Sequence, residues 1–418
     1  MLLHQELLAE PVAKVYEDCV DTILVNLAKH FPVNEEVGLL PSWQARKLAE
    51  FGRVTQESAA IIARKTGKTP GMVEKILMRS VNAALKDVDP MLAKAAEQGY
   101  LSGAPAIDAS PRVANVLESY SAQAVEQLNL VNTVMLDSAQ TAYLKCVSDV
   151  VMWENRAMSE AEATAAQEIL NTATGEVVTG VTGHREAVRK AVKQMADAGL
   201  TGFVDRGGHH WAPDTYVRMD IRTTAGNVAT QAVFARNEDY GNDLIWVRTK
   251  NAARPLCFPW QGKVLSRNNR SGKVRDLNDN LVEFIPLSST SYGEPAGLFG
   301  INCGHAPPNV FIPGLSVVRN AVDTEDPEVE AENARAYALS QKQRYLERQV
   351  RAAKRDAAVA DAIGDKELFD QAAVRVKQAT DEIKAFAAEE GAELKQYLMQ
   401  VNGYDRSMAA KVRAAKGA

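Results

Sequence analysis

Cys303 and His305 stand two residues apart in LFGINCGHAPPNVFIPG (298–314), a stretch crowded with Gly and Pro. Residues at i and i+2 of an extended segment point to the same side, so thiol and imidazole can share one site. Three chemistries are open to the pair. With the distant Cys257 it supplies three donors suited to zinc, and His209-His210 offers a fourth, although the spacing matches no standard zinc pattern. As a nucleophile, Cys303 needs a general base and an orienting group, and His305 fits the first role. As a structural element, the Cys packs as a small hydrophobe while His305 hydrogen-bonds within a closed loop. The structural reading is the expected one, and zinc on Cys257, Cys303 and His305 is kept as its alternative. No P-loop, HExxH, GxSxG or paired-carboxylate signature supports catalysis, so neither an enzyme nor a cofactor is expected.

Three further motifs carry physical meaning. In CFPWQGKVLS (257–266), Pro259 sets a turn, Trp260 brings a large apolar surface and Gly262 lets the chain reverse. Closure of a core is the expected role. In RTT (222–224), Arg222 is flanked by threonines, and an internal salt bridge is expected of it, with a phosphate contact as the alternative. In QKQRYLERQVRAAKRD (341–356), Arg344, Arg348, Arg351 and Arg355 recur at i, i+4, i+7 and i+11, a guanidinium stripe on one helical face. Leu339, Leu346, Val350 and Ala353 form a separate apolar face. From Arg335 to Arg355 seven bases face the single acid Glu347, a local charge of +6. Such a stripe suits an acidic partner or DNA phosphates, and equally a solvated or salt-bridged surface. The final RSMAAKVRAAKG adds four more bases and is expected to be exposed.

These motifs need a scaffold, and composition bounds it. The 418 residues, 46% hydrophobic and 24% charged, are enough for two or three domains with sizeable cores. A net charge of −5 excludes a surface that is basic throughout, so any polyanion must be met locally. Four widely spread cysteines fit a reducing compartment better than a disulfide framework. The N-terminal MLLHQELLAEPVAKVYEDC lacks a basic n-region, and no window reaches about 18 apolar residues, so neither a signal peptide nor a membrane span is expected.

An α-rich α+β fold follows from periodicity. Residues 1–174 read as a long helical scaffold, with Pro11 at a helix start and breaks at VGLLPS, GKTPG, DVDP and SGAPAIDASP. The segment 116–153 has no internal breaker and reads as one long helix or two nearly continuous ones. Residues 175–320 form a small loop-rich α+β domain. In it a helix stops after Ala198, and a second carries the buried stripe Val217, Ile221, Thr224, Val228 and Ala232 up to Gly241. Strands are expected at LIWVRT, GKVLS and LVEFIPL, with NNRSGKVRDLNDN as a polar loop between the last two. Residues 321–418 read as a C-terminal helical region, a hairpin turning at Gly364.

The ordered blocks GLTGFVDRGGHHWAPDTYVRMDIRTT, NDLIWVRT, RPLCFPWQGKVLS, LFGINCGHAPPNVFIPG and QKQRYLERQVRAAKR resemble the phage minor capsid protein 2 family, related in role to Mu F-like head morphogenesis proteins. The likeness is strong over about 180–360, and Asn302, Cys303 and His305 fit the family's NCxH block. Gly304 stands where a basic residue is more usual. The resemblance implies a virion component, built into the head in host cytoplasm near the portal vertex. It also implies contacts with portal protein, other head proteins and packaged DNA, several copies per virion, and a role in packaging or ejection. Two other classes stay open: a Cys/His-dependent enzyme in the small domain, and a stand-alone DNA-binding protein.

Overall fold

The computed structural model describes residues 2–35, 39–171, 181–200, 203–204, 210–319 and 321–415. Five helices come first: α1 (Leu2–Lys29), α2 (Leu40–Thr66), α3 (Thr69–Glu97), α4 (Pro111–Asn171) and α5 (Val181–Ala198). A two-stranded ladder, β1 (Phe203–Val204) and β2 (His210–Trp211), precedes α6 (Pro213–Asp239). A mixed sheet follows, built from β3 (Leu244–Trp246), β4 (Val264–Ser266), β5 (Gly272–Arg275), β6 (Leu281–Pro286) and β7 (Asn309–Val310). The chain closes with α7 (Pro327–Ile363), α8 (Lys366–Glu390) and α9 (Arg406–Ala414). This is the α-rich α+β architecture that the periodicity implies.

The prolines divide into two kinds. At the starts of α2 and α3 they occupy the first turn, where a missing N–H costs nothing. Pro11 and Pro90, expected to start or break helices, lie inside α1 and α3 instead. An interior proline costs about 3 kcal/mol, and what outweighs it is burial just downstream: Val12, Ala13 and Tyr16 after Pro11, Leu92 and Ala95 after Pro90. The 116–153 segment lies within the single helix α4, with no internal break.

Residues 15–67, 130–215 and 343–418 form one compact unit, and residues 1–14, 68–129 and 216–342 form another. The first is mostly helical and also holds the β1–β2 ladder. Phe31, Trp43 and Tyr143 are fully buried in it, with the Phe31 and Tyr143 rings 5.2 Å apart, and the Tyr143 hydroxyl donates to the Lys47 carbonyl at 2.9 Å. The α7–α8 hairpin turns at Gly364 (φ +73°), as expected, and Asp365 caps α8 by accepting the Leu368 N–H at 3.0 Å. Burial works against ionisation of this carboxylate, but the Arg189 guanidinium at 2.6 Å and the Leu368 N–H outweigh it and hold the group below the usual carboxylate range. The described bases of the C-terminal run, Arg406, Lys411 and Arg413, are exposed as expected, but the run is ordered. It forms α9, whose Met408 and Val412 are buried, Val412 in an alanine-rich cluster with Ala353, Ala357, Ala372 and Ala373. A short amphipathic helix of this kind is ordered by docking, which its cation-rich composition conceals.

The second unit carries the sheet, in the order β5-β6-β4-β3-β7. β4 and β6 pair in parallel and the other neighbours are antiparallel. All five stripe residues of α6 are buried, and Gly241 adopts a left-handed conformation just past the helix end. β5 arises inside the expected polar loop. It is an edge strand with three of its four residues exposed, so its GKVR lacks the apolar alternation that marks a half-buried strand. On α6, burial pushes the Asp220 carboxyl up to about 6 from its ordinary 3.8. A carboxyl raised in this way burdens the folded state when ionised, above about pH 6, and not below about pH 4. Asp220→Asn should therefore raise the melting temperature near pH 8, with the advantage shrinking as pH falls through 6; melts across that range test it.

Candidate functional site

The Cys/His loop closes over the sheet through a chain of tight turns. Leu298, Phe299 and Ala306 join Phe234 of α6, Ile245 and Val247 by β3, and Leu265 of β4 in one apolar cluster, with Trp260 packed against it. Trp260 is half-buried there. Gly262 adopts φ +76°, and a Cβ there would lie 3.1 Å from that of Ala321. The position requires glycine for both reasons.

Cys257 opens the Phe258–Trp260 turn, its N–H bonded to the Arg254 carbonyl at 2.8 Å. That turn sets the Cys257 thiol 3.9 Å from Cys303, and the Cys303 sulfur lies 3.6 Å from Nδ1 of His305. The three residues named from sequence therefore meet in one place, all buried. The Phe299 N–H also points at the Cys303 sulfur, 3.2 Å away, from a left-handed backbone (φ +58°) that costs a non-glycine residue about 1–2 kcal/mol. Nε2 of His305 lies 3.1 Å from Oε1 of Gln261. The S–H of Cys257, together with His305, holds the Cys303 thiol well below its usual range, whereas Cys257 is pushed up. His209 lies outside the described residues, as does the side chain of His210.

Arg222 is half-buried on α6, and its neighbour Thr223 ties the motif to the loop. The Thr223 hydroxyl donates to the Met219 carbonyl at 2.7 Å and accepts the Asn302 N–H at 3.1 Å. Thr223 was legible as part of RTT, whereas Gln261 and Phe299 gave no signal, because their roles depend on where the loop folds back. Lys250 lies over Gly304, its Cε 2.5 Å from where a Cβ would stand. A cation thus fills the space above Gly304.

The loop's glycines are not equivalent. A Cβ on Gly297 would collide with the Ser291 carbonyl, a backbone atom, whereas on Gly304 it would meet only the flexible end of Lys250. Gly297→Ala should cost about 1–3 kcal/mol and Gly304→Ala under about 0.5 kcal/mol, as read by urea denaturation.

The arginine stripe lies on α7 and splits in two. Arg351 pairs with Glu17 at 3.4 Å and donates to the Leu398 carbonyl, and Arg355 pairs with Asp21 at 2.7 Å. Arg344 and Arg348 are exposed, with Tyr345 exposed between them. Leu346, Val350 and Ala353 are buried as the apolar face, while Leu339 is exposed. No described helix is long and apolar enough to cross a membrane.

Residues 4–388 match the family model of phage minor capsid protein 2. A curated relative, described as a structural protein of Lactococcus phage LL-H, is 27% identical over 332 residues, covering 78% of this chain and 79% of the relative. No solved structure matches the chain. The family match takes in the Cys/His loop, the α6 stripe and the arginine helix together, and the chain belongs to the phage minor capsid protein 2 family, as a structural protein of the virion.

Proposed function

We propose that the chain is a non-enzymatic head component placed at or near the portal vertex, where it acts in head assembly and in DNA packaging or ejection. Arg344 and Arg348 make its contact with an acidic surface of the portal or a neighbouring head protein. The observation that carries this reading is the division of the stripe. Two guanidinium groups are committed to carboxylates of their own chain, and two are presented to solvent beside Tyr345. Arginine and tyrosine are the residue types enriched where protein surfaces bind. The non-enzymatic part is supported by burial: Cys303 is 7% exposed and His305 1%, and a nucleophilic thiol needs access to its substrate.

The test is co-purification of the tagged chain with portal rings and procapsids from infected cells, comparing the wild type with Arg344→Glu/Arg348→Glu. Wild type should associate at a fixed stoichiometry and the double variant should not. Failure of the wild type to associate removes the portal placement. If the stripe instead tracks DNA, the purified chain binds duplex DNA with an affinity that falls steeply as salt rises, and the double variant flattens that slope.

A further inference from the structure

We propose that Cys257, Cys303 and His305 form a zinc site that locks the Cys/His loop onto the turn following Arg254, with water as the fourth ligand. Tetrahedral zinc with Zn–S near 2.3 Å and Zn–N near 2.0–2.1 Å sets two sulfurs about 3.8 Å apart and sulfur and nitrogen about 3.5 Å apart. The observed separations are 3.9 Å between the sulfurs and 3.6 Å from Cys303 to Nδ1 of His305. All the donor atoms lie within 4.8 Å of one another, so the remaining pair closes by a small rotation of the Cys257 side chain.

The surrounding hydrogen bonds orient the donors as a metal requires. Oε1 of Gln261 accepts the Lys250 backbone N–H at 2.5 Å. A backbone N–H only donates, so this contact fixes the amide orientation, and the same oxygen must accept from Nε2 of His305, 3.1 Å away. In the neutral ring, Nδ1 then carries the lone pair, and it is Nδ1 that faces Cys303. Gln261 is itself buried and acts as the outer partner that sets a ligand histidine's tautomer. The Phe299 N–H, aimed at Cys303, supplies a donor to a coordinated sulfur.

Charge is consistent as well. Both sulfurs bind as thiolates, so together with Zn²⁺ they make a neutral group, and any proton a thiol still carries goes to solvent. Such a group can sit where an isolated ion could not, and all three ligands are buried. The site is independent of the portal reading: it stabilises one loop within one unit and does not involve Arg344 or Arg348.

The experiment uses the full chain purified under reducing conditions from zinc-supplemented culture. Elemental analysis should find about one zinc per chain, and replacement by cobalt(II) should give a tetrahedral d–d spectrum with thiolate-to-metal charge-transfer absorption. Cys303→Ser should lose the metal and Cys146→Ser should keep it. Gln261→Leu, which leaves all three ligands in place, should weaken chelator-competed zinc affinity about 10–100-fold. Absence of zinc from the folded wild type overturns the proposal, as does a cobalt spectrum without thiolate charge transfer. So does metal binding unchanged in both Cys303→Ser and Gln261→Leu, or recovery of a metal-free Cys257–Cys303 disulfide. If Cys303→Ser does not fold, the wild-type spectrum and Gln261→Leu decide.

Discussion

Arg355→Ala is expected to destabilise the helical unit by about 3 kcal/mol, while Arg344→Ala and Arg348→Ala each stay within about 0.5 kcal/mol. The four arginines share one face and one spacing, so their sequence context does not separate them. Their partners do. Asp21 is 1% exposed and its carboxylate accepts both the Arg355 guanidinium at 2.7 Å and the Asn402 N–H at 3.0 Å. Removing Arg355 takes from a buried carboxylate the guanidinium paired with it, and the uncompensated charge carries most of the cost. Arg344 and Arg348 are exposed, and the attraction of Arg344 to Glu347 comes after those of Arg351 and Lys395 on the same carboxylate. Urea denaturation followed by circular dichroism measures all three variants, and equal effects across the stripe would refute the division on which the contact surface rests.

Replacing Arg236 by Met should cost still more, about 3–5 kcal/mol. Arg236 is 1% exposed, and its guanidinium contacts Asp89 of α3, Asp239 at 3.2 Å and the Tyr240 hydroxyl at 3.1 Å. Asp239 also accepts the Ser110 hydroxyl at 2.6 Å, so one cation ties α6 to α3 and to the start of α4. Methionine fills similar volume but leaves Asp89 without the Arg236 guanidinium, whereas Asp239 keeps Arg112 at 3.1 Å. Adding Asp89→Asn to Arg236→Met should recover part of the loss, because one of the two carboxylates is then neutral. A double variant no more stable than the single one would show that packing, rather than charge, sets the effect.

The same contrast explains what sequence reading reached. α4 within 111–171, the Gly364 hairpin and the buried stripe of α6 were legible because each is a local period interrupted by a local breaker. Pro11 and Pro90 misled, since proline's local penalty was visible and the burial that outweighs it was not. β5 and α9 escaped for a related reason. An exposed edge strand and a docked nine-residue helix draw their order from neighbours, and their polar composition resembles a loop or a tail. Of the candidate site, Cys257, Cys303 and His305 were identifiable by residue type, and their meeting was not, since 46 residues separate the two cysteines along the chain.

By itself the sequence determined the α-rich class, most helices, the family blocks and the residue types able to bind metal or anions, because side-chain period and donor chemistry are properties of short segments. Tertiary structure alone decided that Gln261 turns Nδ1 of His305 toward Cys303, and that Thr223 holds the loop through Asn302. It also decided that Arg355 belongs to Asp21, 334 residues away, while Arg344 faces solvent. Burial and charge pairing set those roles, and both depend on which distant segments the fold brings within a few ångströms.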